Sequence, residues 1–134
     1  MAHPSYDDYW KNMIPYKQEF TKINIPILTI TGYYDDSQRG AMYYFNEHHK
    51  YVKNTNHYLV VGPYDHWTAQ NRPADYLRNY KLDDAAQIDI RYDLTFEWFD
   101  YILKGKKKPS ILKDKVNFQI MDTDTWMHKP SLSA

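Results

Sequence analysis

Apolar positions along this chain fall into continuous runs and helical stripes, and the two kinds alternate. "INIPILTITGYYDD" is apolar and β-branched without polar alternation from Pro26 to Gly32. A run of that kind reads as a strand buried on both faces, as in a parallel sheet. "DDSQRGAMYYFNEHHKYV" follows, with Met42, Phe45, His49 and Val52 on one helical face and Ser37 or Asp36 as the cap. "NTNHYLVVGP" turns into a second buried strand, about His57 to Val61. A polar stretch covers roughly 67–85. "AQIDIRYDLTFEWFDYILKG" then spaces Ile88, Tyr92, Phe96, Phe99 and Leu103 as one apolar helical face. Asp89 stands in its first turn, Lys104 in its last, and Gly105 where a terminating glycine belongs. "KVNFQIMDTDTWMH" reads as one half-buried strand, which predicts Val116, Phe118 and Ile120 inward with Asn117 and Gln119 outward. Ahead of all these, Tyr6, Tyr9, Trp10 and Met13 predict a short helix with an aromatic face, opened by Ser5 and Asp8. The order is helix, strand, helix, strand, loop, helix, strand. A β-α-β-α unit implies a parallel sheet with right-handed crossovers.

Composition narrows the picture further. The 134 residues suffice for one domain, and 43% hydrophobic with 17% aromatic content is too apolar for a disordered chain. Lys+Arg and Asp+Glu both number 17, so no electrostatic grip on nucleic acid or a membrane is expected. The basic run "KGKKK" at 104–108 reads as a helix end and loop. The lack of cysteine excludes disulfides and thiolate chemistry and leaves the compartment open. No apolar run nears membrane-spanning length, and the first ten residues do not read as a signal peptide.

Ligands in open α/β sheets bind beyond the carboxyl ends of the strands. One such end carries Tyr33-Tyr34-Asp35-Asp36, the other Tyr64-Asp65-His66. An acid and then a histidine, in that chain order, suit the last two members of a Ser-Asp-His triad. The imidazole needs a carboxylate on one nitrogen while the other accepts a proton, so both groups should come from adjacent strand tips. On spacing alone, His66 reads equally as an ordinary loop residue. His48, His49 and His57 with Asp35 and Asp36 lack metal-ligand spacing and read as solvated helix and turn residues; no metal is expected.

"HPSYDDYW", "IPILTITGYYD", "LVVGPYDH" and "FEWFDYILKG…VNFQIMDTDTW", in that order, resemble the second half of the CocE/NonD family. That family includes cocaine esterase, α-amino acid ester hydrolases and glutaryl-cephalosporin acylases, and is related to X-Pro dipeptidyl peptidases. The pieces here are Asp8 with Trp10, Gly32 to Asp35, Gly62 to His66, and Phe99 to Gly105. Tyr33 and Tyr64 stand where the family often has tryptophan, and each adds a hydroxyl that needs a partner.

The resemblance implies an α/β fold: part of an α/β-hydrolase parallel sheet with flanking helices over 1–109. The first strand of a β jelly-roll domain would follow over 110–134, with Trp126 as its aromatic anchor. It implies Asp35 as the triad acid, with Asp36 its competitor one residue away, and His66 as the base. It implies hydrolysis of a small-molecule ester or amide, with no cofactor. No serine stands in a glycine-flanked elbow: Ser5, Ser37, Ser110, Ser131 and Ser133 sit in caps, loops or the tail. The chain is therefore expected to be an interior fragment, inactive alone, and to self-associate through its open sheet. The rival expectation is a non-catalytic, aromatic-rich module binding glycans or peptides.

Overall fold

The computed structural model describes residues 2–73 and 75–134. Its elements are α1 (Asp8–Lys11), β1 (Ile27–Tyr34), α2 (Gln38–Tyr51), β2 (His57–Asp65), β3 (Tyr76–Leu77), β4 (Tyr80–Lys81), α3 (Thr95–Lys104), β5 (Val116–Ile120) and β6 (Thr125–Lys129). The main sheet has the order β1-β2-β5-β6, and β3 with β4 forms a separate small hairpin. β1 and β5 both run parallel to β2, while β6 folds back antiparallel on β5. Thus β5 continues the sheet that β1 and β2 begin.

The continuous apolar run of β2 is explained by burial on both sides, whereas β1 is only partly buried over Ile27 to Ile30 and exposed at Tyr33 and Tyr34. From His57 to Tyr64 every β2 residue is buried. Leu59 and Val61 pack with Val116 and with Phe45 of α2, whereas Tyr58, Val60 and Tyr64 pack with Ile90, Leu94 and Trp98. A helix on each face leaves β2 no solvated side, so no polar alternation can appear in it.

Three local expectations need correction. First, the opening helix is a single turn, and its cap is Asp7, whose carboxylate accepts from the Tyr9 amide at 3.0 Å. Its aromatic residues Tyr6, Tyr9 and Trp10 are exposed. Second, β5 buries its polar side completely: Asn117 and Gln119 are fully inaccessible. Asn117 donates to the carbonyls of Leu59 and Asp114 and faces His128 Nδ1 at 2.8 Å. Gln119 donates to Asp83 and to the Ile120 carbonyl, while its Oε1 finds no partner among the described residues. Third, α3 presents the opposite face. Ile90, Leu94 and Trp98 are buried, while Tyr92, Phe96, Phe99 and Leu103 are exposed.

A π turn over Ile90–Leu94 precedes α3. There the Leu94 amide reaches the Asp89 carbonyl and the Thr95 hydroxyl reaches the Ile90 carbonyl. Gly105 ends α3 in the left-handed conformation at φ 63°, where glycine carries no Cβ penalty.

Candidate active site

Two adjacent strand tips build the site. Gly32 of β1 lies opposite Gly62 of β2, but two residues later Tyr34 lies opposite Asp65, so β2 carries one extra residue. Pro63 falls within this bulge, a place where a missing N–H is tolerated. The neighbouring glycines are sterically required. A Cβ on Gly32 would collide with the Tyr64 backbone, and one on Gly62 with the Tyr64 ring. Tyr64 itself is fully buried and donates from its hydroxyl to the Ala86 carbonyl at 2.8 Å. Tyr33 likewise donates to the Gln119 carbonyl at 2.8 Å. Both hydroxyls that replace a tryptophan edge therefore have partners.

Beyond the bulge, His66 Nδ1 stands 3.1 Å from Asp35 Oδ1. Asp36 Oδ1 is farther, at 3.7 Å, and its side chain is 90% exposed against 7% for Asp35. The Asp35 carboxylate also accepts from the Ser37 amide at 2.9 Å and the Thr31 hydroxyl at 3.0 Å. Burial alone would raise the Asp35 carboxyl. The Ser37 amide, the His66 ring and the Thr31 hydroxyl outweigh it and hold the carboxyl below its ordinary value. Asp35 is thus a fixed, ionised acceptor, whereas Asp36 is a solvated one.

Asp65 has another task. Its Oδ1 accepts from the amides of Trp67 and Thr68 and from the Thr68 hydroxyl. The Thr68 amide foremost holds the Asp65 carboxyl below its usual value. This Asx-type turn seats the short 3-10 turn Thr68–Gln70, from which Gln70 reaches back to His66.

Sequence reasoning missed Ser37, Thr31 and Gln70. A signal exists for Gln70, since residues four apart on a helical turn are neighbours. Ser37 Oγ lies 3.3 Å from His66, but at Nδ1, the nitrogen that faces Asp35. It therefore shares the acid's side of the ring and is not placed where a nucleophile would lose its proton. None of the other serines contacts His66 among the described residues.

His48, His49 and His57 lie at the other end of the strands. His57 begins β2 opposite Ile27 and bonds His48 Nδ1 at 3.0 Å and Thr29 Oγ1 at 2.7 Å. Rather than solvated, His48 and His57 are buried. Among the described residues, Asp35, Asp36 and His66 form the one trio whose ligand atoms all lie within 4.8 Å of one another. A cation there would compete with the Asp35–His66 hydrogen bond for the same nitrogen.

No curated protein matches the chain. Among solved structures, it is similar to an aminopeptidase from a marine sediment Thaumarchaeota archaeon. The identity is 18% over 97% of this chain, with a TM-score of 0.64, which speaks for a shared fold. The chain spans 21% of that aminopeptidase's length. The mostly parallel sheet between helices is consistent with an α/β-hydrolase-like fold. Residues 1–68, which contain both strand tips and both members of the Asp35–His66 pair, match the family described as X-Pro dipeptidyl-peptidase (S15 family), and the chain belongs to that family.

Proposed function

We propose that the chain supplies the acid and the base of a serine-hydrolase site that cleaves ester or amide bonds. Asp35 is the orienting carboxylate and His66 the general base. The observation that carries this reading is the 3.1 Å approach of Asp35 Oδ1 to His66 Nδ1 at neighbouring parallel strand tips. In the reaction, a serine hydroxyl attacks the acyl carbon while His66 Nε2 takes its proton. The imidazolium then gives that proton to the leaving alcohol or amine, and Asp35 stabilises the positive ring meanwhile. Water repeats the sequence on the acyl-enzyme. The family supports a small molecule or peptide as substrate.

The nucleophile and the oxyanion donors would come from sequence outside this chain, and residues 110–134 would open a jelly-roll domain. The test is to assay the pure chain on an activated aryl ester, alone and mixed with a segment of a family member that carries the serine. The expected result is no turnover alone and turnover on mixing, abolished by His66→Ala and reduced by Asp35→Ala. Rapid turnover by the chain alone, or restored activity indifferent to His66→Ala, overturns the reading.

A further inference from the structure

We propose that Gln70 is a positioning residue that fixes the tautomer of His66; this rests on the reading of Asp35 and His66 as the acid–base pair. The Gln70 side chain has one polar atom 2.9 Å from the His66 carbonyl oxygen. A carbonyl only accepts, so that atom is the amide nitrogen. The same nitrogen lies 3.1 Å from His66 Nε2. An NH2 group only donates, so Nε2 must offer its lone pair, and the neutral ring carries its proton on Nδ1. Asp35 Oδ1 accepts that proton from the other side at 3.1 Å. The two partners therefore select the same tautomer from opposite edges of the ring.

His66 is half exposed, at 49% of its side chain, so water has access to it. Water can donate or accept and serves either tautomer. Gln70 serves one. Its reach is set by the turn that Asp65 seats through Trp67 and Thr68, which gives that third acid a part in the site without contact to the ring. The tautomer selected is the one a general base needs, with the Nε2 lone pair turned outward. The Gln70 nitrogen also occupies the position a nucleophile's hydroxyl must take. It holds the base ready and leaves by rotation of one exposed side chain when the hydroxyl arrives.

The test is a long-range 15N–1H correlation spectrum of the His66 ring in the labelled 134-residue chain, at about pH 8 where an ordinary imidazole is neutral. The expected spectrum has Nδ1 protonated and Nε2 bare. Gln70→Ala should move the tautomer ratio toward Nε2–H by about five-fold, the equilibrium worth of one ordinary hydrogen bond. Gln70→Glu should move it further, because a carboxylate accepts from Nε2–H. The buried His48 and His57 signals should stay in place, which separates this effect from a general loss of structure. A native ring protonated mainly on Nε2, or a ratio unmoved by both Gln70 variants, overturns the proposal. Asp35→Ala separates it from the underlying reading. A ratio that responds to Gln70 and not to Asp35 removes the acid–base pair and leaves the Gln70 assignment standing; the reverse removes Gln70 alone.

Discussion

Lowering the pH should destabilise this protein through His57. His57 is 1% exposed at the start of β2. Its hydrogen bonds form a chain whose direction is fixed at one end. The Ile23 carbonyl accepts from His48 Nε2–H at 3.0 Å, so His48 Nδ1 is a bare acceptor. His57 Nδ1–H donates to it at 3.0 Å, and His57 Nε2 then accepts from the Thr29 hydroxyl at 2.7 Å. Both His57 nitrogens are thereby paired with the ring uncharged, and a further proton would bring a charge into a buried site. Burial first, then the neighbouring His48, His49 and Lys115, push the His57 pKa from 6.5 down to about 3. The unfolded chain takes a proton near the ordinary value while the folded chain refuses it. Between those values the unfolded state binds more protons, so stability is lost as pH falls. The full shift is worth about 5 kcal/mol, of which about 2 kcal/mol is lost between pH 7.5 and pH 5. The assay is urea unfolding at a series of pH values for the native chain and for His57→Gln. The variant should begin about 1–3 kcal/mol less stable at pH 7.5, because His48 loses its donor. It should then fall less steeply, so that the gap shrinks by about 2 kcal/mol by pH 5. His49 and His128 are also held down, by burial first, and their pull is common to both proteins. Parallel curves for the two proteins would refute the reasoning.

Gly62→Ala should destabilise the fold by about 1–3 kcal/mol, because the buried Tyr64 ring that its Cβ would strike is tied to Ala86 and cannot step aside; an unchanged urea midpoint would show the tip to be loose. Leu94→Ala should cost about 2–5 kcal/mol, whereas Phe96→Ser, on the exposed face of α3, should change stability by less than about 0.5 kcal/mol; the opposite ranking in thermal melts would restore the face read from the sequence. β1 carries eight uncharged residues and pairs on one side only among the described residues, so the chain should self-associate as concentration rises; a constant monomer mass in light scattering would count against this.

The legibility of this fold follows from how many solutions each pattern allows. β2 is plain in the sequence because both its faces are covered, and β1 carries the same kind of run although it is only partly buried at the end of the sheet. α3 is not. Its polar residues Asp93, Glu97, Asp100 and Lys104 form one stripe, which leaves two apolar faces: Leu94, Trp98, Tyr101 and Ile102, or Tyr92, Phe96, Phe99 and Leu103. Periodicity ranks them equally, and packing against the sheet chooses the first. In β5 the alternation is real and the inference from it inverted. Polar side chains point inward because Asn117 meets the Leu59 carbonyl and Gln119 meets Asp83, partners that lie far away in sequence, with the nearby Asp114 carbonyl as a further acceptor for Asn117. Hydropathy alone reads such residues as solvated, since only a tertiary partner makes a buried amide affordable.

Which of the Asp35 and Asp36 carboxylates stands nearer His66 turns on a single residue of register at the bulge in β2. Opposite Gly62 stands Gly32; carried forward without interruption, that pairing sets His66 against Asp36. The extra residue of β2 brings Asp65 opposite Tyr34 instead, and that offset carried one residue past the strand ends sets His66 against Asp35. The observed distances agree, 3.1 Å to Asp35 and 3.7 Å to Asp36. So "VVGPYDH" ends as it does for a geometric reason. Gly62 leaves room for the Tyr64 ring, Pro63 accepts a place in the ladder that needs no donor, and the buried Tyr64 hydroxyl fastens the loop of extra chain to Ala86. Together they set the histidine back by one step along β1. That step replaces a solvated carboxylate with one already ionised and held by the Ser37 amide and the Thr31 hydroxyl. A carboxylate so held can orient an imidazole at little further entropic cost, and one that is 90% exposed cannot.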